Sequence, residues 1–476
     1  MLKFIKTFTV VVVLLIGLAI FLLMQESKKV DLPTILPETL NTESVADHEL
    51  LQDESPEFIE LITDAEEFYQ QGAVDTALQK YVEAYRLNRS SVLPFLGIAK
   101  IYLDNEKIDL AEKNLTIAQQ KGRLPVSGKI LLARLELLKQ NYNQAEEILA
   151  SIKNKNNEII YLETIVSLLL NNYDQAKENV KQLTAETSSD KFQKAGQSLQ
   201  NAFSIYDTFV DSPTSYLLTL SAENLIDINE FALARPLLLQ AINEKNDYRD
   251  AWVLLGYSYL QSNLLDDADQ ALRKAKQIDP YFGETYFYMG VTQEALGNTK
   301  EAIEYLNQSE NFGYNQKQNT YLHLANNYYK NQEYAKAADN FTKAIDLGTI
   351  SIDDYIKPVW LYLEPLNNKS KALEIAQKAF SEHPDDAMAF NLLGWTQLSN
   401  DQLAEAQKNL EKAVSLNPQL EASYYNLGNL HKQQGNTSVA KAYYEKAVSY
   451  AEKNNVQSIL DRAQSELNSL NQSSNE

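Results

Sequence analysis

The chain has 476 residues, 44% of them hydrophobic, and its 15 glycines and 12 prolines are few enough to favour long helices. Because it has no cysteine, we exclude disulfide scaffolds, cysteine proteases, thiolate-bound zinc and iron–sulfur clusters. The net charge of −21, from 64 acidic and 43 basic residues without a basic stripe, would repel a phosphate backbone and excludes nucleic acid as a partner.

The first predicted element is a membrane span. Residues 7–24 read TFTVVVVLLIGLAIFLLM, an uncharged run long enough to cross the hydrocarbon core of a bilayer. A cleaved secretory signal is the alternative, because residues 17–19 form a small-x-small triplet, but cleavage there would leave apolar residues behind. We predict an uncleaved anchor over residues 1–24 of a single-pass membrane protein, of bacterial type.

An acidic tether is predicted at residues 25–57. Residues 30–79 contain thirteen acidic residues and no lysine or arginine. Since basic residues mark the cytoplasmic side of a span, we predict a cytoplasmic N-terminus and an extracytoplasmic remainder. Three prolines and the absence of a helical period predict that the tether is flexible.

From residue 58 onward the sequence repeats with a period of about 34 residues. The repeat at residues 249–282 shows the pattern most fully, with large and small apolar residues and a final proline in a fixed order. They are Trp252, Leu255, Gly256 and Tyr259 at positions 4, 7, 8 and 11, then Ala268, Leu272, Ala275 and Pro280 at positions 20, 24, 27 and 32. This pattern resembles the tetratricopeptide repeat. The resemblance implies an all-α fold, a right-handed α-solenoid of stacked helix pairs, here preceded by one transmembrane helix.

The same frame divides the chain into eleven repeats, which start at residues 58, 92, 126, 157, 215, 249, 283, 318, 353, 387 and 421. Position 8 is glycine or alanine in nine of them, because two helices approach closely only where the facing side chains are small. The repeat at 353 instead has Trp360 at position 8 and Pro358 in its first helix, which predicts a bend.

We therefore predict a first block of four repeats and a second block of seven. An extra helix joins them, because Phe192, Leu199 and Tyr206 recur at helical spacing. A capping helix with a tail follows the second block. The predicted ranges are 58–187 for the first block, 188–214 for the extra helix and connector, 215–454 for the second block and 455–476 for the cap and tail.

The sequence contains no recognisable catalytic or metal-binding motif. The four histidines are not spaced as a metal-binding pair, and the signatures of zinc proteases, P-loop enzymes, dinucleotide-binding folds and serine hydrolases are absent. Acidic pairs such as Asp266 and Asp267 lie where helices start, and there they complement the helix dipole. We predict that the chain is not an enzyme and takes no cofactor or metal.

Binding is the function that remains. In the tetratricopeptide family the inner wall consists of first-helix residues near positions 2, 5, 9 and 12. Rings there supply contact area for an extended peptide and amides pair with its backbone. The alternative, that the rings pack against the next repeat, stays open. The predicted peptide-binding residues are Tyr257, Phe287, Leu322, Asn326, Tyr329, Trp395, Tyr425 and Asn429.

The predicted function is that of a membrane-anchored scaffold or adaptor in cell-envelope assembly, with protein or peptide partners. The alternative is a regulatory subunit of a membrane-associated enzyme such as a glycosyltransferase.

Two specialised forms of the family are not supported. In one form, Lys and Asn side chains of successive repeats hold a peptide carboxylate, and Asn326, Lys330 and Lys357 are too scattered in the repeat frame for that. In the other form, asparagine recurs at the same position of successive repeats as a ladder, and Asn426 is a single rung without such a ladder.

Overall fold

The structure is a computed structural model that describes residues 54–185, 191–208, 212–348 and 351–473. In these residues there are 24 α-helices and no β-strand. The prediction of an all-α fold is therefore confirmed. The chain divides into two compact bodies: the first runs to Leu135 and includes Ile148–Ile152, and the second comprises Glu136–Glu147 and the chain from Lys153 onward.

The first body is built from two helix pairs and parts of a third. The helices are α1 (Pro56–Gln70), α2 (Val74–Leu87), α3 (Leu93–Asp104) and α4 (Ile108–Lys121), followed by α5 (Val126–Leu138) and α6 (Tyr142–Ala150), which each belong to both bodies. Helix α1 starts where it does because the Ser55 hydroxyl accepts a hydrogen bond from the Phe58 amide, 3.2 Å away, and Pro56 occupies the first helical position.

The second body contains the remaining helices. They are α7 (Asn157–Leu169), α8 (Tyr173–Ala185), α9 (Lys191–Thr208), α10 (Thr214–Asp227), α11 (Phe231–Glu244), α12 (Arg249–Gln261), α13 (Leu265–Ile278), α14 (Gly283–Ala295) and α15 (Thr299–Asn311). After them come α16 (Lys317–Lys330), α17 (Tyr334–Asp346), α18 (Ile356–Leu363), α19 (Lys369–Glu382), α20 (Ala387–Ser399), α21 (Leu403–Leu416), α22 (Glu421–Gln433), α23 (Thr437–Asn454) and α24 (Gln457–Ser473). Helix α9 lies in the predicted connector and α24 in the predicted cap.

The turn between the two helices of a repeat has the same backbone conformation throughout. In every repeat of the predicted frame the residue at position 15 has a positive φ, between 47° and 80°. These residues are Gly72, Glu106, Gln140, Asn171, Asn229, Asn263, Gly297, Gln332, Asn367, Asp401 and Gly435. The frame was built from apolar positions alone, so this left-handed turn is an independent sign of eleven helix pairs.

The small residues at position 8 are required by the side chain at position 24 of the same repeat. A Cβ atom on Gly256 would lie 2.5 Å from Cγ of Leu272, and one on Gly428 would lie 2.5 Å from Cε1 of Tyr444. Two further glycines meet a leucine in the same way, Gly290 and Gly394. The two helices of these repeats are therefore as close as side-chain volume allows.

The repeat at 353 departs from this geometry, as its sequence does. A 3₁₀ turn (Ile352–Tyr355) replaces the start of its first helix, and α18 has only eight residues, with Pro358 buried within it. The Trp360 ring lies 5.9 Å from that of Tyr329 and 6.3 Å from that of Tyr334, so it packs on the preceding repeat. A bulky side chain at position 8 is thus accommodated by a shortened helix.

The prediction of a single-pass membrane protein is corrected. Among the described residues no helix is long and apolar enough to cross a membrane. The longest, α9 and α23, have 18 residues with charged side chains among them, whereas a span takes about 20 apolar residues. The predicted span, residues 7–24, and the tether up to residue 53 lie outside the described residues. The predicted N-in orientation and extracytoplasmic location depended on a membrane span and are corrected together with it.

Candidate binding surface on the first helices

All eight predicted site residues lie on first helices of the second body. These helices are α10, α12, α14, α16, α18, α20 and α22, and we call the surface formed by their side chains the first-helix face. Neighbouring first helices contact one another from α10 to α16 and again from α18 to α22. The structure therefore places the predicted residues along one face, with Tyr257 to Tyr329 in a first stretch and Trp395 to Asn429 in a second. Helix α18 joins the two stretches to each other, because Lys357 bonds to Asn326 and the Trp360 ring meets that of Tyr329.

Rings from consecutive repeats pack against each other in the first stretch. The half-buried Tyr257 ring lies 4.8 Å from Tyr288 of the next first helix. Phe287 is only 6% exposed and stacks on Tyr314, with ring centroids 4.7 Å apart, while His323 meets its edge at 5.6 Å. Most of the Phe287 side chain therefore packs against neighbouring residues of the chain, as the alternative interpretation expects. Part of the Tyr257 ring stays accessible.

The predicted residues of α16 are half-buried and already partnered within the chain. Leu322 and Tyr329 pack on the apolar core between these repeats. The amide oxygen of Asn326 accepts a hydrogen bond from the Lys357 ammonium at 2.8 Å. A ligand donor that approaches the Asn326 oxygen must therefore share it with Lys357 or displace that ammonium group.

The second stretch contains the half-buried rings of Trp395 and Tyr425. Trp395 packs by one side on the core of the preceding repeats. The Tyr425 ring lies 5.9 Å from the Tyr444 ring, and the Tyr444 hydroxyl donates a 2.7 Å hydrogen bond to the Asn429 amide oxygen. The Asn429 side chain keeps its amide N–H groups for a ligand.

Asn426, the single asparagine rung, is a structural residue in this fold. Its side-chain amide donates a 3.0 Å hydrogen bond to the Asn391 amide oxygen, which also accepts one from the Ser423 hydroxyl at 3.1 Å. All three residues are buried. This arrangement joins α20 to α22 and leaves the Asn426 amide group facing protein instead of solvent.

Acidic residues on the first-helix face were missed at the sequence level. Glu223, Asp250 and Glu284 lie at positions 9, 2 and 2 of three successive repeats, the same positions from which the aromatic residues were chosen. Glu223 is exposed and the other two are partly exposed. The signal was available: applying all four inner-wall positions to the repeats at 215, 249 and 283 would have included them.

These carboxylates influence one another. Partial burial raises the pKa of Glu284, and the nearby charges of Asp250 and Glu223 raise it further, against a hydrogen bond from Tyr288. Burial and the charges of Asp227 and Asp250 raise the pKa of Glu223 in the same way. Burial is the largest cause of both shifts, and the contributions from neighbouring carboxylates show that these acidic groups lie close enough to repel one another.

An acidic residue further along α14 is compensated by cations. Burial alone would raise the pKa of Glu294, but the hydrogen bond from His323 at 2.8 Å, with the charges of His323 and Lys330, lowers it overall. The Lys330 ammonium lies 3.3 Å from the same carboxylate. The charge of the first-helix face is therefore uneven along its length.

A metal site is not formed by the part of the chain that the structure describes: no group of three or more histidine, aspartate and glutamate side chains is placed to hold an ion there.

The chain is similar to known repeat proteins in sequence. Tetratricopeptide repeat models match residues 219–281, 284–309, 388–420 and 421–454. The DnaJ homolog subfamily C member 7 homolog of Dictyostelium discoideum is 22% identical over 438 residues, which are 85% of this chain and 74% of that protein. The peroxisomal targeting signal receptor of Saccharomyces cerevisiae is 23% identical over 244 residues, 48% of this chain and 38% of that receptor.

Two solved structures are also similar. YrrB, described as a TPR protein with an unusual peptide-binding site, is 18% identical; the match covers 41% of this chain and 99% of YrrB, with a TM-score of 0.34. A chain of the APC/C hetero-tetramer Cut9–Hcn1 is 14% identical, with 89% and 99% covered and a TM-score of 0.33. Both TM-scores are below 0.5. Bacterial type and membrane anchoring are not shown by any of these matches. The family matches thus identify tetratricopeptide repeats within residues 219–309 and 388–454, and helix pairs recur along the described residues.

Proposed function

We propose that the chain is a non-catalytic scaffold that binds protein or peptide partners on the first-helix face of its second body. Tetratricopeptide repeat proteins generally mediate protein–protein interactions and are typically non-catalytic. The observation that carries the proposal is the series of half-buried rings on successive first helices, among them Tyr257, Tyr329, Trp395 and Tyr425. Such rings offer contact area to a ligand at little cost in side-chain entropy.

The contact geometry divides the eight residues into two groups. Phe287 supports the surface from beneath, because almost all of its side chain is covered. Leu322, Asn326, Tyr329, Trp395, Tyr425, Asn429 and Tyr257 remain the candidates for ligand contact. The two amides lie on different first helices, α16 and α22, so we expect rings to provide most of the contact area and Asn326 and Asn429 to fix the register of an extended peptide.

The proposal does not extend to the two narrower roles that the sequence suggested. A part in cell-envelope assembly and the alternative of a regulatory subunit for a glycosyltransferase both depended on the membrane span. The described residues contain no helix able to span a membrane, and nothing in them favours one kind of partner assembly over another.

In-cell cross-linking of the tagged full-length chain, followed by mass spectrometry, tests this proposal. We expect the double variant Trp395→Ala/Tyr425→Ala to lose most cross-linked partners that the native chain captures. Tyr281→Ala is the matched control, because Tyr281 is 72% exposed and lies between α13 and α14, off the first-helix face. Circular dichroism melting must show that the double variant is folded. An unchanged set of partners in a folded double variant would refute the assignment.

A further inference from the structure

One end of the first-helix face combines acidic side chains with tyrosine rings. Glu223 and Asp227 lie on α10, Asp250 on α12 and Glu284 on α14, and we call these four residues the acidic end. Three contiguous first helices contribute to it, and α10 contacts α12 as α12 contacts α14. The carboxylates therefore lie on one continuous surface.

Tyrosines surround the acidic end. The Tyr257 and Tyr288 rings lie 4.8 Å apart, and Tyr257 is close enough to Asp227 for that charge to raise its pKa. Glu284 similarly acts on Tyr288 and on Tyr314, whose pKa burial and that carboxylate raise to about 12. Glu284 is hydrogen-bonded to the Tyr288 side chain, so a group seated against this carboxylate would also lie beside a tyrosine, and tyrosine rings attract cations.

The cations of the chain do not neutralise the acidic end. Arg249 bonds to Asp250 at 2.6 Å, but it also bonds to Asp279 at 2.7 Å and its guanidinium lies 3.7 Å from the centre of the Phe282 ring. Among the described residues, Glu223 and Glu284 form no ion pair. One guanidinium is thus shared between two carboxylates, and two more carboxylates have none.

Glu294 lies on the same helix as Glu284, but its surroundings differ. There the chain supplies His323 and Lys330 to a partly buried carboxylate. At the acidic end it supplies tyrosine rings and, for four carboxylates, only the Arg249 guanidinium that is shared with Asp279, although the cost of holding several like charges together is real. Complementary charge from outside the chain would remove that cost.

We propose that the acidic end binds an extended partner segment rich in lysine, with ammonium groups against Glu223 and Glu284 and the alkyl stems along Tyr257 and Tyr288. This inference rests on the proposed function and adds the chemistry of the partner to it. It is argued from charge complementarity: the surface is anionic, aromatic and continuous, and a lysine side chain matches both its charge and its apolar walls.

Fluorescence anisotropy with the full-length chain tests the inference. The probe is a labelled peptide of alternating lysine and threonine, compared with glutamine–threonine and glutamate–threonine peptides of equal length. We expect the lysine peptide to bind about tenfold or more tightly than the glutamine peptide, and the glutamate peptide to bind weakest. Affinity for the lysine peptide should fall as salt is added.

A matched pair of variants separates this surface from the general acidity of the chain. Glu223→Gln/Glu284→Gln should weaken binding of the lysine peptide about tenfold. Glu301→Gln/Glu304→Gln removes the same charge from exposed positions on the second helix α15 and should leave binding unchanged. Equal loss in both double variants would mean diffuse attraction and would overturn the inference.

The other outcomes distinguish this inference from the proposed function. If the glutamine peptide binds as tightly as the lysine peptide and Tyr257→Ala weakens both, the surface binds peptides without charge selection, and only the inference fails. If no peptide binds, the inference fails. The proposed function is then decided separately by the cross-linking comparison, which uses Trp395 and Tyr425 and no residue of the acidic end.

Discussion

Replacing Gly428 by alanine tests whether the helices of a repeat are held at their closest approach. The added Cβ would lie 2.5 and 2.6 Å from two carbons of the Tyr444 ring, which is fully buried. A ring cannot rotate away as a leucine tip can, and Tyr444 is also held by its hydrogen bond to Asn429. The clash must therefore move a helix or expel the ring.

The expected cost is the sum of three effects. Overpacking costs about 1–3 kcal/mol, and loss of the hydrogen bond to Asn429 adds about 1 kcal/mol. The higher helix propensity of alanine returns up to about 1 kcal/mol. We expect a net destabilisation of about 1–3 kcal/mol, confined to α22, α23 and their neighbours because repeats contact only adjacent repeats.

Hydrogen exchange measured by mass spectrometry is the assay, because an array of repeats does not unfold as one unit. Amide exchange in peptides from residues 421–454 should become about 10- to 100-fold faster, while residues 58–121 should be unaffected. Gly128→Ala is the control, since its nearest contacts are at 3.2 and 3.3 Å and involve leucine side chains. Unchanged exchange in Gly428→Ala would refute the close-packing argument.

Three further changes have defined outcomes. Ala268→Leu should cost about 1–3 kcal/mol by overpacking and speed exchange in α12 and α13; slower exchange would contradict this. Asn391→Ala should cost about 2–3 kcal/mol, because the buried donors of Ser423 and Asn426 lose their acceptor; an unchanged exchange rate in α20 and α22 would mean that they find other partners. Glu294 has a lowered pKa in the folded chain, so its stabilisation is present above the ordinary value of 4.5 and disappears as pH falls through the lowered pKa. The destabilisation by Glu294→Gln, measured by thermal melting, should therefore shrink on acidification, and a constant difference would contradict the assignment.

The helix pairing could be predicted because it depends on side-chain volumes, which the sequence displays directly. The missing side chain at Gly256 and the leucine at position 24 of the same repeat, Leu272, are complementary in volume, and they meet in the fold. The left-handed turn at position 15 was not predicted, since residues as different as Gln140 and Asn171 occupy it. Glycine, asparagine and aspartate, which favour this conformation, occupy eight of the eleven turns, and at Glu106, Gln140 and Gln332 the packed helices must impose it.

The site was harder to predict than the fold, because exposure depends on the neighbouring repeat. Tyr257 at position 9 and Phe287 at position 5 are both inner-wall residues in the repeat frame, yet Phe287 is covered by Tyr314, which lies in the connection before α16. Partners such as Lys357 for Asn326 also come from the following repeat. Periodicity identifies which face a residue occupies, and it does not reveal what the adjacent repeat places over it.

The left-handed turns provide positions along the whole array of repeats at which the stability of this protein can be increased by substitution. Eight of the eleven are not glycine, and a residue such as Glu106, Gln140 or Gln332 in that conformation sacrifices about 1 kcal/mol relative to glycine. The sites lie in different repeats, so their gains should accumulate almost independently. A chain with glycine at several of these turns would melt at a higher temperature with its partner surface untouched. Rigidity and recognition are thus encoded at separate positions of each repeat and can be altered separately.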